Sequence, residues 1–259
     1  MGGDLLSVMG LNVRLRDNGK PILQEVSFDL PAGSVVAVVG GSGSGKTTLG
    51  YSLLGILPPA MEISGGKIIF DGQDIARLLP DDLRKVRGRR IGMVFQEPVS
   101  ALDPVYTIGF QIAETLQAHG LCTGGQAHVR AQELLELCGV PDPARIAGSY
   151  PFELSGGLRQ RAMIAQAISA GPSLLIADEP TSSLDVMLQA LVIELFRDLR
   201  KRLGISLLLI THDLGVARSL ADQVVVMCQG NVVEQGPAAK VFSGAGHPYT
   251  RELIAAEGL

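Results

Sequence analysis

The stretch L154-S-G-G-L-R-Q-R-A-M-I-A-Q-A-I-S-A-G-P-S-L-L-I-A-D-E-P-T-S-S-L-D185 decides the fold of this 259-residue chain. Apolar residues at helical spacing follow Ser155-Gly156-Gly157, so the sequence predicts a helix that ends at Gly171-Pro172. The apolar run 174–177 comes next, and it is too short for a helix but typical of a buried parallel strand. A helix followed by a buried strand indicates an α/β fold.

The two ends of this stretch carry groups suited to different ligands. Glycines 156 and 157 leave bare N–H groups at the positive end of a helix, which favours an anion. The strand ends in Asp178 and Glu179, and adjacent carboxylates at the tip of a buried strand typically serve a metal ion and a water to be activated. The helix between the two ends spans roughly 20 Å. The ends therefore cannot serve the same phosphate, and either two ligands bind or two copies of the chain share them.

A second motif follows another buried strand, predicted at 35–39. Its residues match G-x-x-x-x-G-K-[ST], and a helix is predicted from Thr48 to Leu57. In such a loop the N–H groups wrap nucleotide phosphates, Lys46 reaches the β- and γ-phosphates, and the Thr47 hydroxyl ligates Mg²⁺. The motif predicts a P-loop NTPase core, and its members are Gly40, Gly41, Ser42, Gly43, Ser44, Gly45, Lys46 and Thr47.

Composition limits the classes of protein that the chain can belong to. Hydrophobic residues make up 46% and charged residues 19%, which is typical of a globular protein. A net charge of −4 argues against nucleic acid as the main partner. No apolar run reaches the ~18 residues that span a bilayer, and no signal-peptide pattern is present. The scattered Cys122, Cys138 and Cys228 suggest reduced thiols in the cytoplasm, with any membrane contact supplied by other chains.

The remaining patterns divide the chain into a core and an insertion. Residues 97–150 show helical spacing, and we expect a helical subdomain inserted into a core formed by 1–96 and 151–259. The basic run at 84–90 is more typical of a solvated face than of a nucleic-acid patch. The individual elements predicted are a β-rich segment at 5–38, strands at 67–70, 91–95 and 205–210, helices at 108–118, 129–138 and 186–203, and a β-hairpin around Gln229-Gly230.

Two polar residues lie within two positions after the ends of predicted strands. Gln96 comes after the strand at 91–95 and by itself would be an ordinary loop amide. His212 follows the strand at 205–210, and in a chain with a phosphate loop it is suited to donate to a γ-phosphate.

These motifs together resemble the ATPase subunit of ABC transporters, over nearly the whole chain. LSGGLRQR and LLIADEPTSSLD carry the resemblance, with the phosphate loop, Gln96 and His212 in the same order. It implies a RecA-like P-loop NTPase core of α/β class with an antiparallel β subdomain and a helical subdomain. G55-I-L-P, F95-Q-E-P-V-S-A-L-D-P, Y150-P-F-E-L-S-G-G and H247-P-Y-T resemble the importers of peptides, nickel and metal–opine chelates. V39-G-G-S-G-S-G-K and Y150-P-F-E are similar to the nickel-type branch.

The resemblance also implies roles for individual residues toward ATP and Mg²⁺. Glu179 would polarise the attacking water as general base, and His212 would contact the γ-phosphate. Thr47, Gln96 and Asp178 would serve Mg²⁺, and Thr48 would bind nucleotide with the phosphate loop. Ser155, Gly156 and Gly157 would act on the nucleotide of a partner subunit, and Asp185 would lie where the two subunits' loops meet.

Partners and location follow from the same resemblance. We expect a second ABC ATPase subunit, as a heterodimer of homologues rather than a homodimer, two transmembrane permease subunits and an extracytoplasmic substrate-binding protein. The chain would lie peripherally at the cytoplasmic face of the inner membrane. It would couple ATP hydrolysis to uptake of nickel, metal chelates or di- and oligopeptides, with the substrate read by the other chains.

Three alternative functions stay open at this point, and the sequence departs from the family pattern at one position. A P-loop kinase or GTPase leaves LSGG, Gln96 and His212 unexplained, and an ABC protein acting on DNA or ribosomes usually has two cassettes or long arms. An ABC-type subunit of a soluble phosphonate-processing complex shares the HPYT-type tail. The departure is that residues 10–27 lack the aromatic ring on which ABC ATPases commonly stack adenine. Leu15 or Arg16 is expected at that position, ahead of Asp17.

Overall fold

The computed structural model describes residues 4–182 and 184–257, so Ser183 of the opening stretch lies outside the described residues. The strands are β1 (Asp4–Leu15), β2 (Pro21–Pro31), β3 (Val35–Val39), β4 (Met61–Phe70), β5 (Gln73–Asp74), β6 (Ile91–Val94), β7 (Leu174–Asp178), β8 (Ser206–Thr211), β9 (Gln223–Cys228) and β10 (Asn231–Pro237). The α-helices are α1 (Lys46–Leu54), α2 (Pro80–Val86), α3 (Pro98–Ala101), α4 (Ile108–Ala118), α5 (Gly124–Leu137), α6 (Pro143–Ala147), α7 (Gly156–Ile168), α8 (Val186–Leu203), α9 (Leu214–Leu220), α10 (Ala238–Ser243) and α11 (Pro248–Ala256).

The chain divides into two compact units. The first consists of the described residues up to Leu83 together with those from Gly204 onward, and the second runs from Arg84 to Leu203. The first unit therefore holds the first and the last described residues, and the second holds most of the described helices.

An antiparallel sheet in the order β2-β1-β4-β5 forms one part of the first unit. Alternate residues of β1 are buried, which gives the strand one core face. The β-rich segment predicted at 5–38 is confirmed. The strand predicted at Lys67–Phe70 begins earlier, at Met61, because β1 pairs with this segment as far as Leu15 opposite Met61.

A second sheet segment of the first unit has the order β10-β9-β3-β8. The strand β3 is parallel to both β8 and β9, and β10 returns antiparallel beside β9. All five residues of β3 are buried, as expected for a parallel strand covered on both faces. The predicted hairpin around Gln229-Gly230 is confirmed.

The helix α1 ends three residues before the Leu57 that the sequence predicts. Gly55 adopts left-handed backbone with φ 60°, and its N–H donates to Ser52 O at 3.1 Å. A glycine in this conformation ends a helix because other residues are strained there. The apolar pattern continues past Gly55, and for that reason it misled the sequence prediction.

The second unit combines the parallel pair β6 and β7 with helices α3 to α8. The helices predicted at 108–118 and 186–203 are confirmed as α4 and α8, whereas α5 begins five residues before the predicted Val129. Helix α7 packs on β6. Gly92 makes this close packing possible, because a Cβ there would overlap the Ala167 carbonyl oxygen of α7.

No helix within the described ranges combines the length and the apolar character needed to cross a bilayer.

The contact between β6 and α7 yields a stability prediction. Gly92→Ala should destabilise the protein by ~1–3 kcal/mol, because the Ala167 backbone cannot rotate out of the way as a side chain could. Urea unfolding measures the change. The matched control is Gly125→Ala in the first turn of α5, where an added Cβ meets no atom within 4 Å, and this variant should be up to ~1 kcal/mol more stable than wild type. Equal midpoints for the two variants would contradict the packing argument.

Candidate active site

The loop Gly40–Gly45 joins β3 to α1 and is shaped by close backbone contacts in the first unit. A Cβ on Gly40 would overlap the Met227 carbonyl oxygen, and one on Gly45 would lie 2.6 Å from Leu23 Cδ2. Gly230 N–H donates to Ser44 O at 3.1 Å. The loop therefore packs between the end of β9 and β2, with glycine required at the two contact points.

The inner groups of this loop fit an anion. Within the part of the chain that the structure describes, the N–H groups of Ser42, Gly43 and Gly45 donate to no protein acceptor. The Ser44 hydroxyl is buried and makes no hydrogen bond to the described residues. A Cβ on Gly43 would meet no atom within 4 Å, so the space beside the loop is open. Backbone donors without an acceptor among the described residues, in a loop that leads into the N-terminus of the nine-residue α1, are suited to bind phosphate.

Lys46 lies over the same loop. Its side chain is buried, and Nζ donates to Gly40 O at 2.8 Å and to Gly41 O at 3.1 Å. Thr47 and Thr48 follow in the first turn of α1, and both are half-buried. A buried ammonium group is costly unless it is well solvated by polar groups, and the two loop carbonyls perform that role here.

His212 leaves the sheet from the strand next to the loop. Val39, the last residue of β3, pairs with Thr211 of the parallel β8, so the phosphate loop and His212 follow neighbouring strand ends. The His212 side chain is exposed. Asp213 begins α9 by accepting from Val216 N–H at 2.9 Å, and its own N–H donates to Thr211 Oγ1 at 3.0 Å.

In the second unit, Asp178 and Glu179 lie at the carboxyl end of β7. Asp178 is the last residue of the strand and is buried, as the sequence predicts for a carboxylate at the tip of a buried strand. Glu179 is also buried and has a left-handed φ of 47°. Its carbonyl accepts from Ser182 N–H at 3.2 Å and from Ser182 Oγ at 3.1 Å, and these bonds hold the unusual turn.

Gln96 and Asp178 lie at the carboxyl ends of neighbouring strands of the second unit. Val94 ends β6 and pairs with Ala177 in the parallel β7, so both residues lie at the same edge of this pair. Gln96 is exposed. Asp185 comes after the turn, and its Oδ1 accepts from the N–H groups of Met187 and Leu188, both at 3.0 Å, at the start of α8.

Ser155 is the N-cap of α7, and its hydroxyl accepts from Leu158 N–H at 3.4 Å. Gly156 is exposed, and a Cβ there would meet no atom within 4 Å. Gly157 is buried, and a Cβ there would lie 3.1 Å from Leu188 Cδ2. The first turn of α7 therefore presents an open glycine surface backed by α8.

The remaining candidates from the sequence are the two residues expected beside adenine, the three cysteines and any metal-binding group. The Arg16 guanidinium pairs with Glu62 at 2.9 Å and donates to Met61 O at 3.2 Å, and Leu15 is half-buried. The cysteines at 122, 138 and 228 are free thiols, and burial raises the pKa of Cys138 to about 12 although Arg161 opposes the shift. Within the described ranges, no group of three His, Cys, Asp or Glu side chains is arranged to hold a metal ion.

Sequence reasoning missed one residue at the phosphate loop. The Tyr249 hydroxyl accepts from Gly41 N–H at 2.9 Å. In the sequence the H247-P-Y-T segment carries a family resemblance, but nothing local to it indicates a partner at position 41.

Comparison with known proteins agrees with these features. Residues 23–182 match the protein family described as ABC transporter. The peptidoglycan transport ATP-binding protein YejF of Agrobacterium fabrum is 50% identical over 256 residues, covering 98% of this chain and 47% of that protein. The oligopeptide transport ATP-binding protein OppD of Bacillus subtilis is 42% identical, covering 97% of this chain and 71% of that protein. The chain thus spans about half the length of the first relative.

A solved structure supports the same assignment of fold. The dimeric ATP-binding cassette MJ0796, in a post-hydrolysis state bound to ADP and Pi, superposes with a TM-score of 0.79 at 27% identity. The superposition covers 90% of this chain and 98% of that one.

Proposed function

We propose that this chain, which belongs to the ABC transporter family as an ATPase of the peptide-importer type, hydrolyses ATP to drive peptide uptake through separate membrane subunits. The observation that carries the proposal is the loop Gly40–Gly45, with its N–H donors and the buried Lys46, in a chain that also carries the LSGG helix start and the Asp178-Glu179 pair. Relatives named for oligopeptide and peptidoglycan transport support a peptide-bearing cargo.

Nickel or metal-chelate cargo has weaker support. It rests on the resemblance of the phosphate loop and Y150-P-F-E to the nickel-type branch, and the relatives reported above bear peptide or peptidoglycan names. The same names do not favour a soluble phosphonate-processing complex.

The residues act on the nucleotide through their charges and donors. Lys46 and the loop N–H groups bind the phosphates, and Thr48 assists at the first turn of α1. Thr47, Gln96 and Asp178 would hold Mg²⁺ through side-chain oxygens, the ligands that this ion prefers. The ion would supply positive charge against the phosphates. Glu179 accepts a proton from the attacking water, and His212 donates to the γ-phosphate as charge develops there.

Ser155, Gly156 and Gly157 act on the nucleotide of a partner ATPase subunit, with Asp185 at the subunit boundary. The open surface of Gly156 supports this role, because an anion approaching from another molecule would meet backbone rather than side chains. The partner is a homologous subunit in a heterodimer.

An exposed apolar surface in the second unit supports a membrane-subunit partner. Val99 is 66% exposed and Val105 is 68% exposed, and the exposed rings of Tyr106 and Phe110 stack with centroids 4.7 Å apart. We call these four residues the apolar docking surface. Several large exposed apolar side chains within one short segment, here 99–110, are typical of a protein–protein contact.

The loop that carries part of the apolar docking surface is braced from beneath. The buried Gln111 donates through Nε2 to the carbonyls of Asp103 and Tyr106, at 2.9 and 3.0 Å. Its Oε1 accepts from Asp103 N–H at 2.9 Å. Gln111 thus donates twice through Nε2 and accepts once through Oε1, and all three hydrogen bonds go to the loop. The loop is therefore held in shape before any partner binds.

The chain would act at the cytoplasmic face of the inner membrane, bound to two permease subunits and supplied by an extracytoplasmic substrate-binding protein. The direct test is purification of the native complex and its reconstitution in vesicles. ATP-dependent uptake of di- or oligopeptides supports the proposal. Purification of the chain in complex with a soluble enzyme and without a membrane subunit would overturn the proposal. Uptake of nickel chelates alone would show that the cargo is a metal chelate and not a peptide.

The first functional prediction concerns Glu179. Glu179→Gln keeps the shape of the side chain but removes the base, so ATP turnover should fall by ~10²–10⁴-fold while ATP binding is retained. Steady-state hydrolysis and nucleotide titration measure the two effects. The control Glu136→Gln makes the same change of charge at an exposed position of α5 and should keep wild-type turnover. Normal turnover in Glu179→Gln would exclude it as the base.

The second prediction concerns the shared nucleotide. Gly156→Asp should abolish hydrolysis by the assembled dimer, because a new carboxylate would repel the partner's γ-phosphate, while the single chain should still bind ATP. Gly125→Asp is the matched control, since it also lies in a first helical turn with open space around the Cβ. If Gly156→Asp weakened ATP binding by the single chain as much as Lys46→Ala does, the action across subunits would be excluded.

The third prediction concerns coupling to the membrane subunits. Val105→Asn should lower peptide uptake severalfold and leave basal ATPase near wild type, because it places a polar group on the apolar docking surface. Val129→Asn is the control, with a comparably exposed valine on α5 of the same unit. Equal losses of uptake and ATPase in Val105→Asn would mean that the loop only supports the fold.

A further inference from the structure

The C-terminal helix α11 contacts the phosphate loop within the first unit. Tyr249 lies in its first turn, and its hydroxyl oxygen accepts from Gly41 N–H at 2.9 Å. The Gly41 N–H and the Gly40 carbonyl belong to the same peptide group. That carbonyl accepts from Lys46 Nζ at 2.8 Å. Tyr249 and Lys46 therefore hold the two ends of one peptide group.

This peptide group controls where the Lys46 ammonium lies. The Gly41 carbonyl also accepts from Lys46 Nζ, at 3.1 Å, so rotation about the Gly41 backbone would move both acceptors. A Cβ on Gly41 would lie 3.1 Å from the Tyr249 hydroxyl, which leaves little room between the two. When the ammonium turns from the carbonyls toward a phosphate, Tyr249 still fixes the N–H end of the peptide.

A set of hydrogen bonds fixes Tyr249 in turn. His247 Nδ1 accepts from Tyr249 N–H at 3.2 Å. The Glu234 carboxylate on β10 accepts from Gly246 N–H at 2.7 Å and from His247 N–H at 3.1 Å. Arg251 Nη1 donates to Gly246 O at 2.7 Å. The start of α11 is thus tied to the sheet that carries the loop.

The other end of α11 reaches the segment that follows His212. Glu257 Oε2 accepts from Leu214 N–H at 2.8 Å, and Leu214 is the first residue of α9. One helix therefore contacts the phosphate loop at its start and the His212 segment at its end. A charge-assisted bond of this kind is stronger than a neutral one.

We propose that Tyr249 is a positioning residue for nucleotide binding, acting through the Gly40–Gly41 peptide on Lys46, and that Glu257 positions the His212 segment. The proposal rests on the proposed function, because it assumes that Lys46 and His212 act on ATP. It makes α11 the element that holds the two phosphate-facing segments of the first unit in register.

The main test is Tyr249→Phe in the full chain, which removes only the hydroxyl and keeps the ring. The dissociation constant for ATP, measured by titration, should rise about 3- to 10-fold, as expected for one net hydrogen bond. Turnover at saturating ATP in the reconstituted complex should change less than about twofold. Hydrogen exchange at the Gly41 amide, followed without nucleotide, should become faster than in wild type.

Glu257→Ala tests the other end of the helix. It should speed exchange at the Leu214 amide and lower kcat while ATP affinity is unchanged, the reverse of the Tyr249→Phe pattern. Glu252→Ala is the matched control, because Glu252 is an exposed carboxylate on the same helix. It should resemble wild type in all three measurements.

The outcomes separate this proposal from the proposed function. Faster Gly41 exchange with unchanged ATP affinity would make the contact purely structural and would overturn the positioning role, as would wild-type behaviour in both measurements. If the wild-type chain bound no ATP while the variant still showed faster exchange, the proposed function would fail, and with it the nucleotide role of Tyr249, although the contact itself would stand.

Discussion

The close approach of three backbone segments is the constraint on which the phosphate loop depends. A Cβ on Gly40 would overlap the Met227 carbonyl, and one on Gly230 would overlap the Ile22 carbonyl. Glycine at these positions lets β2, the β9–β10 hairpin and the loop meet at backbone distance. The N–H groups of Ser42, Gly43 and Gly45, which donate to no acceptor among the described residues, are then left for a ligand, with open space beside Gly43. The anion-binding geometry thus depends on glycine, which has no side chain, at positions 40 and 230.

The elements that the sequence predicts best are those whose pattern lies within one segment. The strand β3 and the helices α4 and α8 have the predicted bounds, because an all-apolar run or an amphipathic stripe identifies each without reference to its neighbours. The sequence predicts too short a strand β4, since Ser64, Gly65 and Gly66 interrupt its apolar pattern and the segment from Met61 becomes a strand through pairing with β1. Local patterns do not report such pairing.

The candidate site shows the same division. The phosphate loop, the two carboxylates after β7 and the start of α7 could be named from sequence because each is a contiguous motif. The contact between Tyr249 and Gly41 joins residues 208 positions apart and leaves no local signal. The left-handed φ of Glu179 is equally hidden, because it depends on the hydrogen bonds from Ser182. Sequence therefore identifies the reactive groups, and the fold determines what holds them.

The hydrogen bonds of Gln111 have a mechanical consequence. A loop that becomes ordered only when a partner docks loses conformational entropy on docking, and it deforms when the partner exerts a force on it. Three hydrogen bonds to one buried amide stiffen the loop 103–106, so it behaves as a rigid element rather than a compliant one. A displacement of the helix that carries Gln111 would reach the outer surface of the loop with little loss of amplitude. Stiffness of this kind sets how much of a subunit's motion can become work on a neighbouring chain.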